Sequence, residues 1–355
     1  MKTSGLRIAL IASARYPIKE PFAGGLEAHT WALAHALGVR GHKVTLFAGP
    51  GSDPALGARE LPLRTPVISA RARADVSMTS AAWLAEHHAY LRLMVELATA
   101  PAFDVVHNNS LHYLPVAMAE AVPIPIVTTF HTPPTPWLES AIQVTSGDPV
   151  TFTAVSEHTA RAWSHIVRVP HVVRNGVDIE RWRPGTGGGP PVWFGRMVPE
   201  KGPHLAVQAA RIAGRPLRLA GPVSDPDYYE AQVRPLLGHG VEHLGHLTRT
   251  ELLDLVGGAS VTMVTPCWDE PYGLTVAESL ACGTPVCGFA RGALPEVLTR
   301  DCGRLVPPGD VEALATALDE AAGLSRAAAR ERARRHCSQE VMVDAYESLY
   351  RELAA

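Results

Sequence analysis

Short apolar runs alternate with stretches of helical periodicity along the whole chain of 355 residues. The first run, residues 7–13, is apolar at nearly every position, which predicts a strand buried on both faces of a parallel sheet. After a loop with paired glycines, apolar residues from Leu26 to Val39 recur at helical spacing, and another apolar run follows at 42–48. This strand–loop–helix–strand order is typical of an α/β sheet with helices on both of its faces.

The same alternation predicts two sets of strands, separated by a linker rich in glycine and proline at 183–191. We expect the first set at 7–13, 42–48, 102–107, 125–130, 151–155 and 168–173. We expect the second set at 192–195, 217–220, 241–244, 261–264, 285–288 and 303–306.

A chain of this length exceeds one ordinary hydrophobic core. We therefore predict two Rossmann-like, doubly wound α/β domains, at residues 1–180 and 181–335, and a last helix within 336–355 that packs back on the first domain. Ligands of open α/β sheets bind beyond the carboxyl ends of the strands. Both domains should therefore direct their loops into one central cleft.

Composition narrows the class of protein. Apolar residues make up 46% of the chain, charged residues 19%, and the net charge is −3, so nothing indicates the basic face of a nucleic-acid-binding protein. The five cysteines include no Cys-x-x-Cys pair, which favours a reducing, cytoplasmic setting. No apolar stretch approaches the roughly 20 residues of a membrane span. The amphipathic segment 78–97 has Arg92 as its only Arg or Lys, so we expect it to pack in the core rather than on lipid.

The most informative stretch, residues 267–278, reads Cys-Trp-Asp-Glu-Pro-Tyr-Gly-Leu-Thr-Val-Ala-Glu. Its Pro-x-Gly turn opens a helix whose first N–H groups lack internal partners and carry partial positive charge. The amides of 273–275 can therefore bind a phosphate or a sugar oxygen. Carboxylates suit vicinal hydroxyls, so we expect Glu278 to hold a ribose and Glu270 a transferred sugar. The alternative is that both glutamates only complement the helix N-terminus.

A second motif, at 194–202, reads Phe-Gly-Arg-Met-Val-Pro-Glu-Lys-Gly and follows the first strand of the second domain. A guanidinium can donate two parallel hydrogen bonds to phosphate oxygens, and an ammonium adds a compact positive charge. Arg196 and Lys201 are therefore candidates for neutralising a diphosphate. The alternative is a solvated basic loop.

The two motifs resemble those of the retaining glycosyltransferases of family 4, which have the GT-B fold. The Glu-x7-Glu signature of that family is matched by Glu270 and Glu278, and its Gly-Arg…Glu-Lys-Gly string by residues 195–202. Further family-like strings are Gly24-Gly-Leu-Glu27, Arg40-Gly-His-Lys-Val44, Asn175-Gly-Val-Asp178 and Gly292-Ala-Leu-Pro-Glu296. The resemblance covers nearly the whole chain and is looser between residues 50 and 125.

The resemblance implies roles for particular residues. Glu270 and His131 would act at the transferred sugar. The donor, a nucleoside diphosphate sugar, would be bound by Gly24, Gly25, Arg196, Lys201, Gly273, Leu274, Thr275 and Glu278. The chain departs from the family pattern at Tyr272, where phenylalanine is usual, and at Ala293, which replaces a glycine.

Two residues are candidates for the acceptor side of the cleft. His107 and Asn109 lie at the end of a predicted strand, beside a further asparagine and a histidine. Both side chains could face the acceptor, although for His107 a purely structural, hydrogen-bonded role is equally open.

Metal and cofactor sites are not expected. Asp225-Pro-Asp227 imitates the manganese-binding Asp-x-Asp pattern of another glycosyltransferase fold, but an aspartate before a proline is ordinary helix-capping chemistry. No Gly-x-Gly-x-x-Gly follows the first strand, so a nicotinamide cofactor is not supported.

The motifs, together with the resemblance, therefore predict a metal-independent glycosyltransferase without a cofactor, and the resemblance implies that it is retaining. It would move a hexose-type sugar from a nucleoside diphosphate sugar, with UDP favoured by the resemblance, to a hydroxyl of a small-molecule, natural-product or lipid acceptor. A GT-B sugar-nucleotide epimerase, a sugar phosphorylase and a non-catalytic sugar-nucleotide-binding protein remain as alternatives. The intact glutamate pair beside Arg196 and Lys201 argues against the last of these.

Overall fold

The computed structural model describes residues 5–61, 63–64, 66–100, 102–145 and 149–355. The first of its two sheets has seven strands in the order β3-β2-β1-β4-β5-β6-β7. These strands are β1 (Arg7–Ile11), β2 (Lys43–Ala48), β3 (Ala58–Glu60), β4 (Val105–Asn108), β5 (Ile126–Phe130), β6 (Val150–Ala154) and β7 (His171–Val172). The helices of this half are α1 (Gly25–Val39), α2 (Ala70–Arg73), α3 (Ala81–Thr99), α4 (Leu114–Ala117), α5 (Pro136–Val144) and α6 (Glu157–Trp163).

The second sheet has six strands in the order β10-β9-β8-β11-β12-β13. These strands are β8 (Val192–Phe194), β9 (Leu217–Ala220), β10 (Val241–His243), β11 (Thr262–Val264), β12 (Val286–Phe289) and β13 (Gly303–Val306). The remaining helices are α7 (Pro203–Ile212), α8 (Pro226–Tyr228), α9 (Arg249–Gly258), α10 (Leu274–Ala281), α11 (Leu294–Val297), α12 (Val311–Ala322), α13 (Arg326–His336) and α14 (Gln339–Leu353). The strand pairs of both sheets are parallel.

Each sheet buries apolar side chains on both faces, which explains why its central strands read as continuous apolar runs. One face of the first sheet packs against α3, with Tyr90 and Leu93 in its core. The opposite face packs against α1 and α14, through residues such as Leu33 and Tyr346. The second sheet is covered by α10 and α13 on one face and by α7 and α12 on the other. Because helices cover both faces of each sheet, the ends of the strands are the places where a ligand can bind.

The structure has every predicted strand, with ends shifted by a few residues, and adds β3, which is too short to show a pattern. As predicted, α3 packs in the core, through Tyr90, Leu93, Met94 and Leu97, whereas its Trp83, Leu91 and Val95 side chains are exposed. None of the helices in the described ranges is both long and apolar enough to cross a membrane. The cap expected from Asp225 is also confirmed, since its carboxylate accepts a hydrogen bond from the amide of Tyr228 at 2.9 Å.

The chain passes between the two halves twice, and the two crossings lie side by side. Val177, on the first crossing, donates its amide to Cys337 at 2.8 Å and accepts from Gln339 at 3.0 Å on the second. A Cβ on Gly176 would lie 2.5 Å from the Cα of Gln339, so only glycine allows the two segments to approach this closely. The second crossing leads into α14, which returns to the first sheet.

Candidate functional site

A cavity of about 430 Å³ lies between the two sheets, at the carboxyl ends of their strands. The first half contributes residues after β1, β4, β5 and β6, and the second half contributes loops after β8, β9, β10 and β11. All ten residues predicted to act at the sugar or to bind the donor line this cavity, namely Gly24, Gly25, His131, Arg196, Lys201, Glu270, Gly273, Leu274, Thr275 and Glu278. Residues far apart in sequence thus meet in one place.

The basic motif and the first glutamate are in direct contact. Lys201 ends a short 3-10 turn after β8, and its Nζ lies 2.6 Å from Oε2 of Glu270. The same carboxylate oxygen accepts from Nε1 of Trp268 at 3.2 Å, and the Lys201 ammonium lies 5.2 Å from the centre of that indole ring. Arg196 is less constrained, since its guanidinium reaches Glu200 only at 3.6 Å. One cation is therefore held at the carboxylate while the other stays available to a ligand.

The loop after β12 fixes the backbone of Glu270. Ala293 donates its amide to the carbonyl of Glu270 at 2.8 Å. Gly292 has φ +61, and a Cβ there would lie 2.3 Å from the amide nitrogen of Glu270. The close approach of this loop to the Glu270 backbone therefore requires glycine at position 292 but not at position 293. Ala293 adopts an ordinary helical φ of −83 and is tolerated in place of the family's glycine.

Two helix N-termini, one from each half, meet at the cavity. Gly273 caps α10 with φ 96, and Gly24 caps α1 from extended backbone. A Cβ on Gly25 would lie 3.0 Å from Cδ1 of Leu274, and a Cβ on Gly24 would lie 3.9 Å from Nε of Arg196. Unpaired amides and dipoles from both domains therefore converge on a small volume beside a guanidinium, which suits an anionic ligand.

The second glutamate lies in an environment that disfavours its charge. Burial raises the pKa of Glu278 to about 8, and the positive charge of Arg249 opposes the increase. Arg249 forms an ion pair with Glu20 at 2.9 Å, and its guanidinium lies over the rings of Phe22 and Trp31. Burial therefore favours the protonated carboxyl of Glu278 in the ligand-free protein.

His131 lies on the opposite wall, at the end of β5. Its Nε2 donates to Oδ1 of Asn109 at 2.6 Å. Burial, together with neighbouring His29 and His107, holds the pKa of His131 well below its usual range. His29 packs edge-on against His131 with ring centres 5.0 Å apart, and burial lowers its own pKa to about 4. The cleft therefore presents a neutral, oriented imidazole.

The structure does not place His107 in the cleft. Its side chain is fully buried, with Nδ1 2.5 Å from the hydroxyl of Tyr350 on α14 and Nε2 2.7 Å from Oγ1 of Thr129. Asn109 is buried as well, and it contacts His107 and His131 rather than the cavity. The structure therefore favours the hydrogen-bonded, structural role that the sequence left open for His107, and it corrects the placement of His107 and Asn109 on the acceptor side, because both side chains are engaged inside the domain.

Sequence reasoning missed the contacts that join the two halves near the cavity. Besides the Glu20–Arg249 ion pair, Glu296 of the second half accepts from the amides of Glu157 and His158 at the start of α6, at 3.0 and 2.6 Å. Ser156 donates its hydroxyl to the carbonyl of Pro271 at 2.6 Å. The capping box at Thr248 marks the helix start that carries Arg249, but nothing local indicates the partner of that arginine.

Among the described residues no group of three or more His, Cys, Asp or Glu side chains is arranged to hold a metal ion. The positive charge in the cavity instead comes from side chains and helix amides.

Two parallel-sheet domains that face each other across a cavity at their strand ends, with this set of charged residues, define an α/β glycosyltransferase of the GT-B fold. Comparisons with known proteins agree. The model of Glycosyltransferase Family 4 matches residues 23–181, and that of Glycosyl transferases group 1 matches residues 192–336. The chain belongs to glycosyltransferase family 4, so the resemblance and the fold class expected from the sequence are confirmed.

Individual relatives cover most of the chain. A glycogen synthase of Mycobacterium tuberculosis is 31% identical over 87% of this chain and 86% of its own length. A phosphatidyl-myo-inositol mannosyltransferase of Mycolicibacterium smegmatis is 29% identical over 83% of this chain and 80% of its own. The solved structure of AviGT4, a glycosyltransferase involved in avilamycin A biosynthesis, is 25% identical, has a TM-score of 0.70 and covers 98% of both chains.

Proposed function

We propose that the protein transfers a hexose-type sugar from a nucleoside diphosphate sugar to an acceptor hydroxyl, with retention of anomeric configuration and without a metal ion. The observation that carries this proposal is the convergence of Arg196, Lys201, the start of α10 and two glutamates on one cavity. The first three match a diphosphate and the glutamates match sugar hydroxyls.

The donor is expected to lie with its ribose at Glu278 and its sugar at Glu270. Lys201, held 2.6 Å from Glu270, would then lie where sugar and diphosphate join. The family resemblance favours uridine as the base. The names of two relatives, a glycogen synthase and a mannosyltransferase, support a hexose as the transferred sugar.

Breaking the bond between the anomeric carbon and phosphate leaves its electron pair on the diphosphate oxygen. Arg196, Lys201 and the amides of α10 would stabilise that charge electrostatically. The acceptor oxygen bonds to the anomeric carbon on the same face, and its proton passes to the departing oxygen. Glu270 and neutral His131 would position the sugar, and neither needs to be a nucleophile.

The direct test incubates the full-length protein with a panel of nucleoside diphosphate sugars and candidate acceptors, with and without EDTA. Proton NMR then follows the anomeric configuration of the product. Transfer with retained configuration, unaffected by EDTA, is expected. An epimerised sugar nucleotide without acceptor, turnover only with inorganic phosphate, or tight binding without turnover on any acceptor would each overturn the assignment.

A further inference from the structure

A group of aromatic rings lies on the first domain, on α3, on the loop after β4 and at the start of α5. We name Trp83, His87, Tyr113 and Trp137 the aromatic ledge. Trp83 stacks on His87 with ring centres 4.9 Å apart, and Tyr113 stacks on Trp137 at 5.5 Å. The two indoles are 6.3 Å apart, and the Tyr113 hydroxyl lies 3.1 Å from Nδ1 of His87. The rings therefore form one continuous group.

The ledge leaves large apolar rings in contact with solvent. Trp137 is 58% exposed and Trp83 is 37% exposed. Neither ring fills a core, and the mechanism described above uses neither. An exposed group of adjoining aromatic rings of this kind is a candidate binding surface.

The aromatic ledge and the wall of the substrate cavity are held by the same buried tyrosine. Tyr113 stacks on His112, which in turn stacks on buried Tyr90, with ring centres 4.8 and 4.2 Å apart. The Tyr90 hydroxyl donates to the carbonyl of Ala12 and accepts from the amide of Ala14, and so anchors the loop after β1. That loop carries Ser13, Arg15 and Tyr16, which line the cavity, as does Leu111 on the loop of the ledge. The ledge therefore rests on the same rigid support as the cavity wall.

We infer that the aromatic ledge binds the acceptor, and that this acceptor is a neutral carbohydrate chain. The inference rests on the proposed function, because it names the acceptor class of that site. Flat indole faces pack against the apolar C–H face of a sugar ring, while the nearby tyrosine hydroxyl and imidazole can reach its hydroxyl groups.

The charge around the ledge fits a neutral ligand better than a membrane. Arg15, the cation beside it, forms an ion pair with Glu86 on α3. A helix that docks on lipid presents several Lys or Arg residues, whereas the segment 78–97 has only Arg92. The ledge therefore offers ring faces and hydrogen bonds without an excess of positive charge.

The test uses exposed positions, where substitution should not disturb folding. The full-length protein and its Trp137→Ala and Trp83→Ala variants are titrated by calorimetry with neutral oligosaccharides (gluco-, manno- and galacto-oligomers), with free glucose, with phenols and with anionic phospholipid vesicles. We expect at least one oligosaccharide to bind the wild type, with affinity reduced about tenfold or more in each alanine variant. Trp137→Phe should keep most of the affinity. Val144→Ala, at the far exposed end of α5, should change nothing.

Uridine diphosphate affinity is measured on the same samples. If uridine diphosphate does not bind the wild type, the result counts against the proposed donor. Equal oligosaccharide affinity in the wild type and both alanine variants would overturn only the role of the ledge in acceptor binding. Binding of no oligosaccharide, or binding of phenols or vesicles in preference to them, would overturn the acceptor class.

Discussion

His131 and Asn109, at the ends of neighbouring strands, form a hydrogen bond of 2.6 Å from ring Nε2 to amide oxygen. The amide oxygen can only accept, so Nε2 carries the hydrogen of the neutral ring. The Asn109 amide nitrogen points to His107, which the Tyr350 hydroxyl contacts in turn. Asn109 thus favours the Nε2–H tautomer of the cleft histidine, and its amide nitrogen in turn contacts a histidine that Tyr350 on α14 contacts.

We predict that Asn109→Ala lowers kcat about tenfold or more and leaves nucleotide affinity nearly unchanged, because it frees the ring of His131 without touching the donor site. Nitrogen-15 NMR of the imidazoles should show His131 as the Nε2–H tautomer in the wild type and as a mixture in the variant. An unchanged tautomer together with normal kcat would show that Asn109 does not position the ring.

A second prediction concerns the two helix starts at the cavity. In Gly25→Ala, the new Cβ would press on Leu274, so the donor KM should rise about tenfold as closure is hindered. Gly38→Ala is the matched control on the same helix, because nothing lies within 4 Å of its new Cβ, and we expect normal kinetics there. Adding Leu274→Ala to Gly25→Ala should restore much of the loss, since that change removes the contact but keeps the amide. Additive defects would contradict the steric explanation.

A third prediction separates the two charged motifs. Lys201→Ala and Arg196→Ala should weaken nucleoside diphosphate binding about ten- to hundredfold, as expected for lost charge-assisted hydrogen bonds. Glu270→Ala should lose turnover more than binding. Arg215→Ala is a suitable control, because that arginine pairs with Asp319 at the surface. Titration calorimetry and steady-state kinetics measure both quantities. Unchanged affinity in both cation variants, or near-normal kcat in Glu270→Ala, would refute the respective role.

A fourth prediction follows from the raised pKa of Glu278. The folded state holds this proton up to about pH 8, whereas an unfolded glutamate loses it near pH 4.3. Each unit of difference between the folded and unfolded pKa corresponds to about 1.4 kcal/mol of stability. The stability that protonation contributes is therefore present below pH 4.3 and is lost as pH rises through about 8. Glu278→Gln cannot ionise, so its Tm relative to the wild type should increase across this window. Scanning calorimetry of the ligand-free proteins can follow the difference, and a constant offset would contradict the assignment.

The residues that sequence analysis placed correctly in the cavity share a local signal. Arg196, Lys201, Glu270 and Glu278 lie in loops directly after predicted strands or at helix starts, and parallel strands bring such loops to one edge. Strand order did not need to be known, because every loop at that edge faces the cleft.

The failures have a physical cause as well. His107 and His131 both end strands beside polar neighbours, and only tertiary structure decides which side chain reaches the cavity. His107 is turned inward because tyrosines on α14, more than 200 positions away, satisfy it, as the separation of 243 residues from Tyr350 shows. The pairing of Arg249 with Glu20 likewise joins residues 229 positions apart in the numbering. Partners this far apart along the chain produce no local sequence pattern from which the contact could be predicted.

The paired crossings at Val177 and Cys337 have a mechanical consequence. A single covalent connection would let the two domains swivel and slide in several directions. Here two adjacent segments are joined by backbone hydrogen bonds beside a close glycine contact, and together they form a hinge with one axis. We therefore expect any opening of the cleft to be a rotation about this paired connection, which would return Gly25 to Leu274 in the same alignment on closing.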